Sequence, residues 1–181
     1  DNLQNVANTI RENHPEILES IIEKMKQCVP GIGDIKSAVT QDKRLLLEFQ
    51  DKTFKDPFID KYVSDGTIKM FAYLILLNDP MPHPLLCIEE PENQLYPRLL
   101  QRLAEQFREY AEKGGQVFVS THSPELLNNA QLDEVFWFEK KDGYSSIHRA
   151  SEDRQITAYM NDGDKMGYLW NQGFFKGADP E

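Results

Sequence analysis

Two short apolar stretches, Leu85–Ile88 and Gln116–Ser120, enclose a helical stripe over Arg98–Lys113, and this alternation constrains the fold more than anything else in the chain. Leu99, Leu100, Leu103, Phe107 and Tyr110 recur on one helical face, and Gly114-Gly115 ends the run. Strand, helix, strand in that order predicts a βαβ crossover with parallel strands. Because the strands are apolar without alternation, the reading also expects a sheet covered on both faces.

The flanking segments extend this α/β pattern. Pro15 opens a helix whose apolar face is Ile17, Leu18, Ile21, Ile22 and Met25, stopped by Cys28-Val29-Pro30-Gly31. Ile35–Phe49 reads as a hairpin around Gln41-Asp42-Lys43, and Lys52–Tyr62 as loop. Ile68–Leu77 is apolar almost all round, which predicts a helix covered on several sides, closed by Asn78-Asp79-Pro80. Downstream come a short helix at Pro124–Asn129 and a strand at Val135–Glu139. The type I′ signal Asp142-Gly143 then leads into a strand at Tyr144–Arg149. Helix over Ile156–Phe175, broken near Asp162-Gly163, completes a single expected domain over residues 1–181.

The longest apolar run, Met70–Leu77, is far short of the roughly 20 residues of a membrane helix, and no basic-then-apolar leader opens the chain, so a soluble, cytoplasmic protein is expected. A net charge of −10 argues against nonspecific adhesion to nucleic acid. Cys28 and Cys87 read as small core residues rather than as a disulfide or metal knuckle. The first residue is Asp1, and the sequence reads as a portion of a longer protein.

Three acids, Glu89, Glu90 and Glu92, follow the first strand directly, where open α/β sheets place their reactive groups. Buried carboxylates need a cation, a hydrogen-bond donor or water. One geometry suits the pair: Glu89 faces a Mg²⁺ or its water shell while Glu90 orients or deprotonates an attacking water, the Walker B arrangement. A solvated acidic loop is the plainer alternative. At the end of the second strand, Thr121-His122-Ser123-Pro124 offers an imidazole able to donate to a γ-phosphate oxygen. Upstream, Ser64-Asp65-Gly66-Thr67 precedes the apolar helix and reads either as an ordinary cap or as an anion site at a helix N-terminus.

In this order the motifs resemble those of ABC-type ATPases of the SMC and RecF sort, and more closely the bacterial OLD-like ATPases of DNA repair and phage defence. Tyr62–Thr67 looks like the signature motif, Leu85–Glu90 like Walker B, Pro91–Pro97 like the D-loop and Ser120–Ser123 like the switch-histidine loop. The likeness covers residues 62 to about 140, after a helical and hairpin lead-in over 1–61 and before a hairpin and helical tail over 141–181. It implies the C-terminal part of a P-loop NTPase fold, a parallel sheet flanked by helices with a C-terminal hairpin, using ATP and Mg²⁺. It assigns Glu89 to the metal, Glu90 to the catalytic base and His122 to the γ-phosphate. Ser64, Asp65 and Gly66 would meet the nucleotide of a second subunit in a head-to-tail dimer, and Gln94 and Leu95 would lie across the dimer seam.

Three departures stand out. Glu89 replaces a commoner Asp, and Tyr96 stands where this branch often has His. No G-x-x-x-x-G-K-[ST] occurs; the nearest stretch, Gly31-Ile32-Gly33-Asp34-Ile35-Lys36-Ser37, has its glycines wrongly spaced. The expectation is therefore a C-terminal lobe that is inactive alone, whose partners are its own Walker A lobe and a second ATPase copy, with a nuclease or DNA engaged through other parts. Two rivals remain: a metal-dependent nuclease built on Glu89, Glu90, Glu92 and His122, and a noncatalytic interaction module.

Overall fold

The computed structural model describes residues 2–29, 31–39, 45–59 and 62–178. The chain forms two compact units, Asp1–Ile88 with Asn93–Val119, and Glu89–Glu92 with Ser120–Glu181.

The first unit begins with helix α1 (Asn2–Asn13), where the sequence reading placed nothing. Its Asn-rich sequence has weak intrinsic propensity, so the helix depends on packing Ala7 and Ile10, both buried, against α2 (Pro15–Cys28). Pro15 starts α2 as expected. Strands β1 (Ile32–Val39) and β2 (Leu45–Asp51) pair antiparallel with Ile35 opposite Phe49; the expected turn residues Gln41-Asp42-Lys43 lie outside the described residues, as does Pro30. The expected loop over Lys52–Tyr62 contains a two-residue strand, β3 (Phe58–Ile59), because Phe58 finds a ladder partner in Phe49.

Helix α3 (Asp65–Leu77) leaves none of Ile68–Leu77 exposed, as its all-round apolarity predicts. Phe71 meets Phe49 edge to face at 6.1 Å, which ties α3 to the hairpin. Strand β4 (Leu85–Glu89), helix α4 (Pro97–Glu112) and strand β5 (Gln116–Ser120) form the predicted crossover. Gln116 N–H donates to Pro84 O at 3.0 Å and Glu90 N–H to Ser120 O at 2.9 Å, so both strands advance together and the pair is parallel. Gly115 is required where the chain leaves α4, since a Cβ there would lie 2.2 Å from the Tyr110 ring.

The expectation of a sheet covered on both faces fails for this pair. Leu86 is buried, but Leu85 is 47% and Phe118 56% exposed, and Cys87 is exposed rather than a core residue. Cys28 is half-buried, and burial pushes its thiol pKa up.

In the second unit, helix α5 (Pro124–Leu127) is followed by the hairpin β6 (Phe136–Lys141) and β7 (Tyr144–Arg149), then by α6 (Arg154–Asn161) and α7 (Met166–Asn171). Positive φ at Asp142 and Gly143, 52° and 82°, gives the type I′ turn that the Asp-Gly pair predicts. Trp137 anchors the core with Leu127, Ile156, Met166, Leu169 and Phe175, and its indole N–H donates to Lys176 O. Gly167 lets α7 sit against α5: a Cβ there would lie 2.1 Å from Pro124 O. On the outer face of the hairpin, Phe136, Phe138 and Ile147 are exposed. No helix among the described residues is long and apolar enough to cross a membrane.

Lys24 is the polar tie of the first unit, its ammonium donating to Asn78 Oδ1, Gln106 Oε1 and Glu109 Oε2 at 3.2, 2.6 and 2.8 Å. Burial alone would raise the Glu109 carboxyl, but the hydrogen bond and charge of Lys24 outweigh it and hold that carboxyl below the usual carboxylate range. Lys24→Met should cost about 1–2 kcal/mol and lower the melting temperature by several degrees. A depressed carboxylate pKa stabilises above the ordinary carboxylate pKa, and that contribution vanishes as pH falls through the folded-state value. The gap between the thermal melts of the two proteins should therefore narrow as pH falls below the ordinary carboxylate range, leaving only the part owed to Asn78 and Gln106.

Candidate active site

The parallel pairing of β4 and β5 sends both chains out at the same rim. Glu89 closes β4 with its side chain exposed. At Glu90 the backbone enters the left-handed region, φ 42°, a conformation that costs a non-glycine residue about 1–2 kcal/mol. The turn directs the Glu90 carboxylate toward the next loop, where Oε1 lies 4.0 Å from His122 Nε2. Both side chains reach solvent, the imidazole 78% exposed.

The loop after β5 is built by hydroxyls. Thr121 Oγ1 accepts the Ser123 N–H at 2.9 Å, and Ser123 Oγ caps α5 by accepting the Leu126 N–H at 3.2 Å. Glu92 reaches back into this loop: its Oε1 accepts the Thr121 hydroxyl at 2.5 Å and the His122 backbone N–H at 3.2 Å. Trp170 of α7 stands beside the imidazole, ring centres 6.3 Å apart.

Ser64, Asp65 and Gly66 lie together at the start of α3 in the first unit, together with Gln94. Ser64 is the N-cap, its hydroxyl accepting the Thr67 N–H at 3.3 Å and sharing a 2.8 Å hydrogen bond with Thr67 Oγ1. Asp65 occupies the first turn, where its charge complements the helix dipole. Gly66 is needed for packing: a Cβ there would lie 2.5 Å from Gln94 O, and Gln94 itself has φ 66°. Lys69 one turn on donates to Asn93 O at 2.7 Å, so the start of α3 and the turn after Glu92 are joined at two points. The sequence reading missed both this junction and the turn of Glu92 toward Thr121. Neither carries a local sequence signal, because each is a contact between segments far apart in the chain.

These residues suit a Mg²⁺-nucleotide in their donor chemistry. Glu89 and Glu90 supply hard oxygens, and among the described residues no three His, Cys, Asp or Glu side chains gather as a metal cage. Mg²⁺ is commonly held that way, by one or two carboxylates with phosphate oxygens and water completing the shell. The four-residue ligand set of a nuclease is not assembled, because Glu92 is turned toward Thr121 and the His122 backbone.

A family model described as "AAA domain, putative AbiEii toxin, Type IV TA system" matches residues 33–128. None of the curated proteins matches the chain significantly. Among solved structures, an SMC ATPase from work on ATP-driven dimerization and DNA-stimulated activation superposes with a TM-score of 0.61. It is 19% identical, over 88% of this chain and 98% of its own. The Pyrococcus furiosus Smc head with an extended coiled coil, bound to the C-terminal domain of ScpA, gives 0.61 and 16%, over 86% of this chain and 40% of its own. For the Thermotoga maritima SMC head the values are 0.54 and 14%, over 81% and 51%. The chain thus has the α/β fold of a P-loop NTPase, and spans about half or less of those last two heads.

Strain at Glu90 is measurable. Glu90→Gly should leave the melting temperature unchanged or raise it, because relief of the left-handed strain offsets the extra chain entropy, each about 1 kcal/mol. Glu89→Gly, in regular strand, should lower it by about 2–4 °C. Gly66→Ala should lower it further, by about 2 kcal/mol or more in chemical denaturation, as the methyl displaces Gln94.

Proposed function

The chain belongs to this AAA-domain family, and from that premise we propose that it is the C-terminal lobe of an ATPase whose copies close in pairs over Mg²⁺-ATP. The observation that carries the reading is the Glu90 carboxylate 4.0 Å from the His122 imidazole, at the shared rim of two parallel strands.

In this reading Glu90 takes the proton of the attacking water and His122 donates to the γ-phosphate. Mg²⁺, when bound, neutralises charge building on the phosphate oxygens. Glu89 faces that cation and its waters, the extra methylene favouring contact through water. Ser64, Asp65 and Gly66 present the N-terminus of α3, with its unpaired N–H groups and positive dipole end, to the nucleotide of a second copy. Gln94, joined to Gly66 in its own chain, lies at that seam.

The Walker A loop comes from a segment outside these 181 residues, which contain no G-x-x-x-x-G-K-[ST]. Its nearest approach, Gly31–Ser37, leads into and forms most of strand β1, which runs on past it to Val39 where a phosphate loop would turn into a helix. The exposed Leu85, Cys87 and Phe118 support the same view, since a lobe completing the sheet would cover them. Alone, the chain binds ATP weakly and turns over little. The whole protein serves DNA repair or phage defence. At −10 overall this chain is a poor nonspecific DNA ligand, so any DNA or nuclease is engaged through other parts.

Glu90→Gln in the complete protein should lower kcat for ATP hydrolysis about a hundredfold or more and accumulate an ATP-bound dimer on size exclusion. Turnover equal to wild type would remove Glu90 from the chemistry and the reading with it.

A further inference from the structure

Glu92 lies beside the proposed catalytic pair, and none of the roles proposed for ATP hydrolysis uses it. One of its oxygens, Oε1, accepts both the Thr121 hydroxyl and the His122 backbone N–H, while Oε2 is buried without a hydrogen-bond partner. A carboxylate in that position is neither open to a metal nor free to activate water. Leaving a buried acceptor unmatched is unfavourable, so the arrangement points to what the matched oxygen does.

That oxygen fixes the loop carrying His122. The imidazole is largely exposed and its position follows the backbone that bears it, so whatever holds the His122 N–H sets where Nε2 falls relative to Glu90. Through Thr121 the same oxygen also reaches Ser123 and the cap of α5. Two hydrogen bonds converging on one oxygen let a single residue hold a short loop.

We propose that Glu92 is the positioning residue of the site: it holds the Thr121-His122 backbone so that the imidazole stands against Glu90 and the incoming phosphate. This rests on the ATPase reading of the site, and two experiments separate the fates of the two ideas. In the complete protein, Glu92→Ala and the shorter Glu92→Asp should lower kcat about ten- to a hundredfold with little change in KM for ATP, the scale of a misplaced catalytic contact. Glu92→Gln keeps an oxygen that accepts both hydrogen bonds and should stay within about threefold of wild type. Equal loss in Gln and Ala would make the negative charge itself essential, as for a metal ligand or base, and would overturn the positioning role. So would wild-type kcat in Glu92→Ala.

The second experiment needs no turnover. In ¹H–¹⁵N spectra of this chain, the His122 amide should shift upfield in Glu92→Ala and hold its place in Glu92→Gln, with thermal melts confirming that both variants fold. An unmoved His122 amide in Glu92→Ala defeats the inference even if the complete protein hydrolyses ATP. Should wild type hydrolyse none, the ATPase reading fails and the amide shift alone decides whether Glu92 holds the loop.

Discussion

The rung between Glu90 N–H and Ser120 O, the last of the β4–β5 pairing, fixes where the two chain exits stand. Beyond it neither chain continues as strand: one turns through a left-handed Glu90, the other through a hydroxyl-built loop to α5. Parallel pairing matters because it places both exits at one end of the sheet; an antiparallel pair would put them at opposite ends. The 4.0 Å separation of carboxylate and imidazole follows from that direction together with the backward reach of Glu92.

Much of this was legible in the sequence, and for identifiable reasons. The stripe of Leu99, Leu103 and Phe107, Pro15 at a helix start, and Asp142-Gly143 at a hairpin turn are local signals whose physics acts within a few residues. What escaped depended on distant partners. Helix α1 has little propensity of its own and is held through Ala7 and Ile10; β3 exists because Phe58 meets Phe49. Apolar runs in β4 and β5 led to a wrong expectation for Cys87, because hydrophobicity records what a residue is suited to meet, and none of the described residues covers that thiol.

The candidate site divides the same way. Glu89, Glu90 and His122 could be picked out because strand ends and residue types announce them. The carboxylate of Glu92 could not be distinguished from its neighbours by sequence, since three acids in four positions look alike until the chain bends. Gly66 belongs with it: its proximity to a helix start suggested a phosphate, while the geometry adds a packing demand from Gln94 O. The two are compatible, as a backbone with no side chain serves close approach in either direction.

Cys87 shares with Leu85 the uncovered side of β4 and is an exposed thiol. Alkylating reagents can therefore reach it in this chain, and would be shut out by any protein layer laid over that side. The cysteine thus serves as a built-in footprint, reporting by its rate of modification whether the sheet stands bare or clothed.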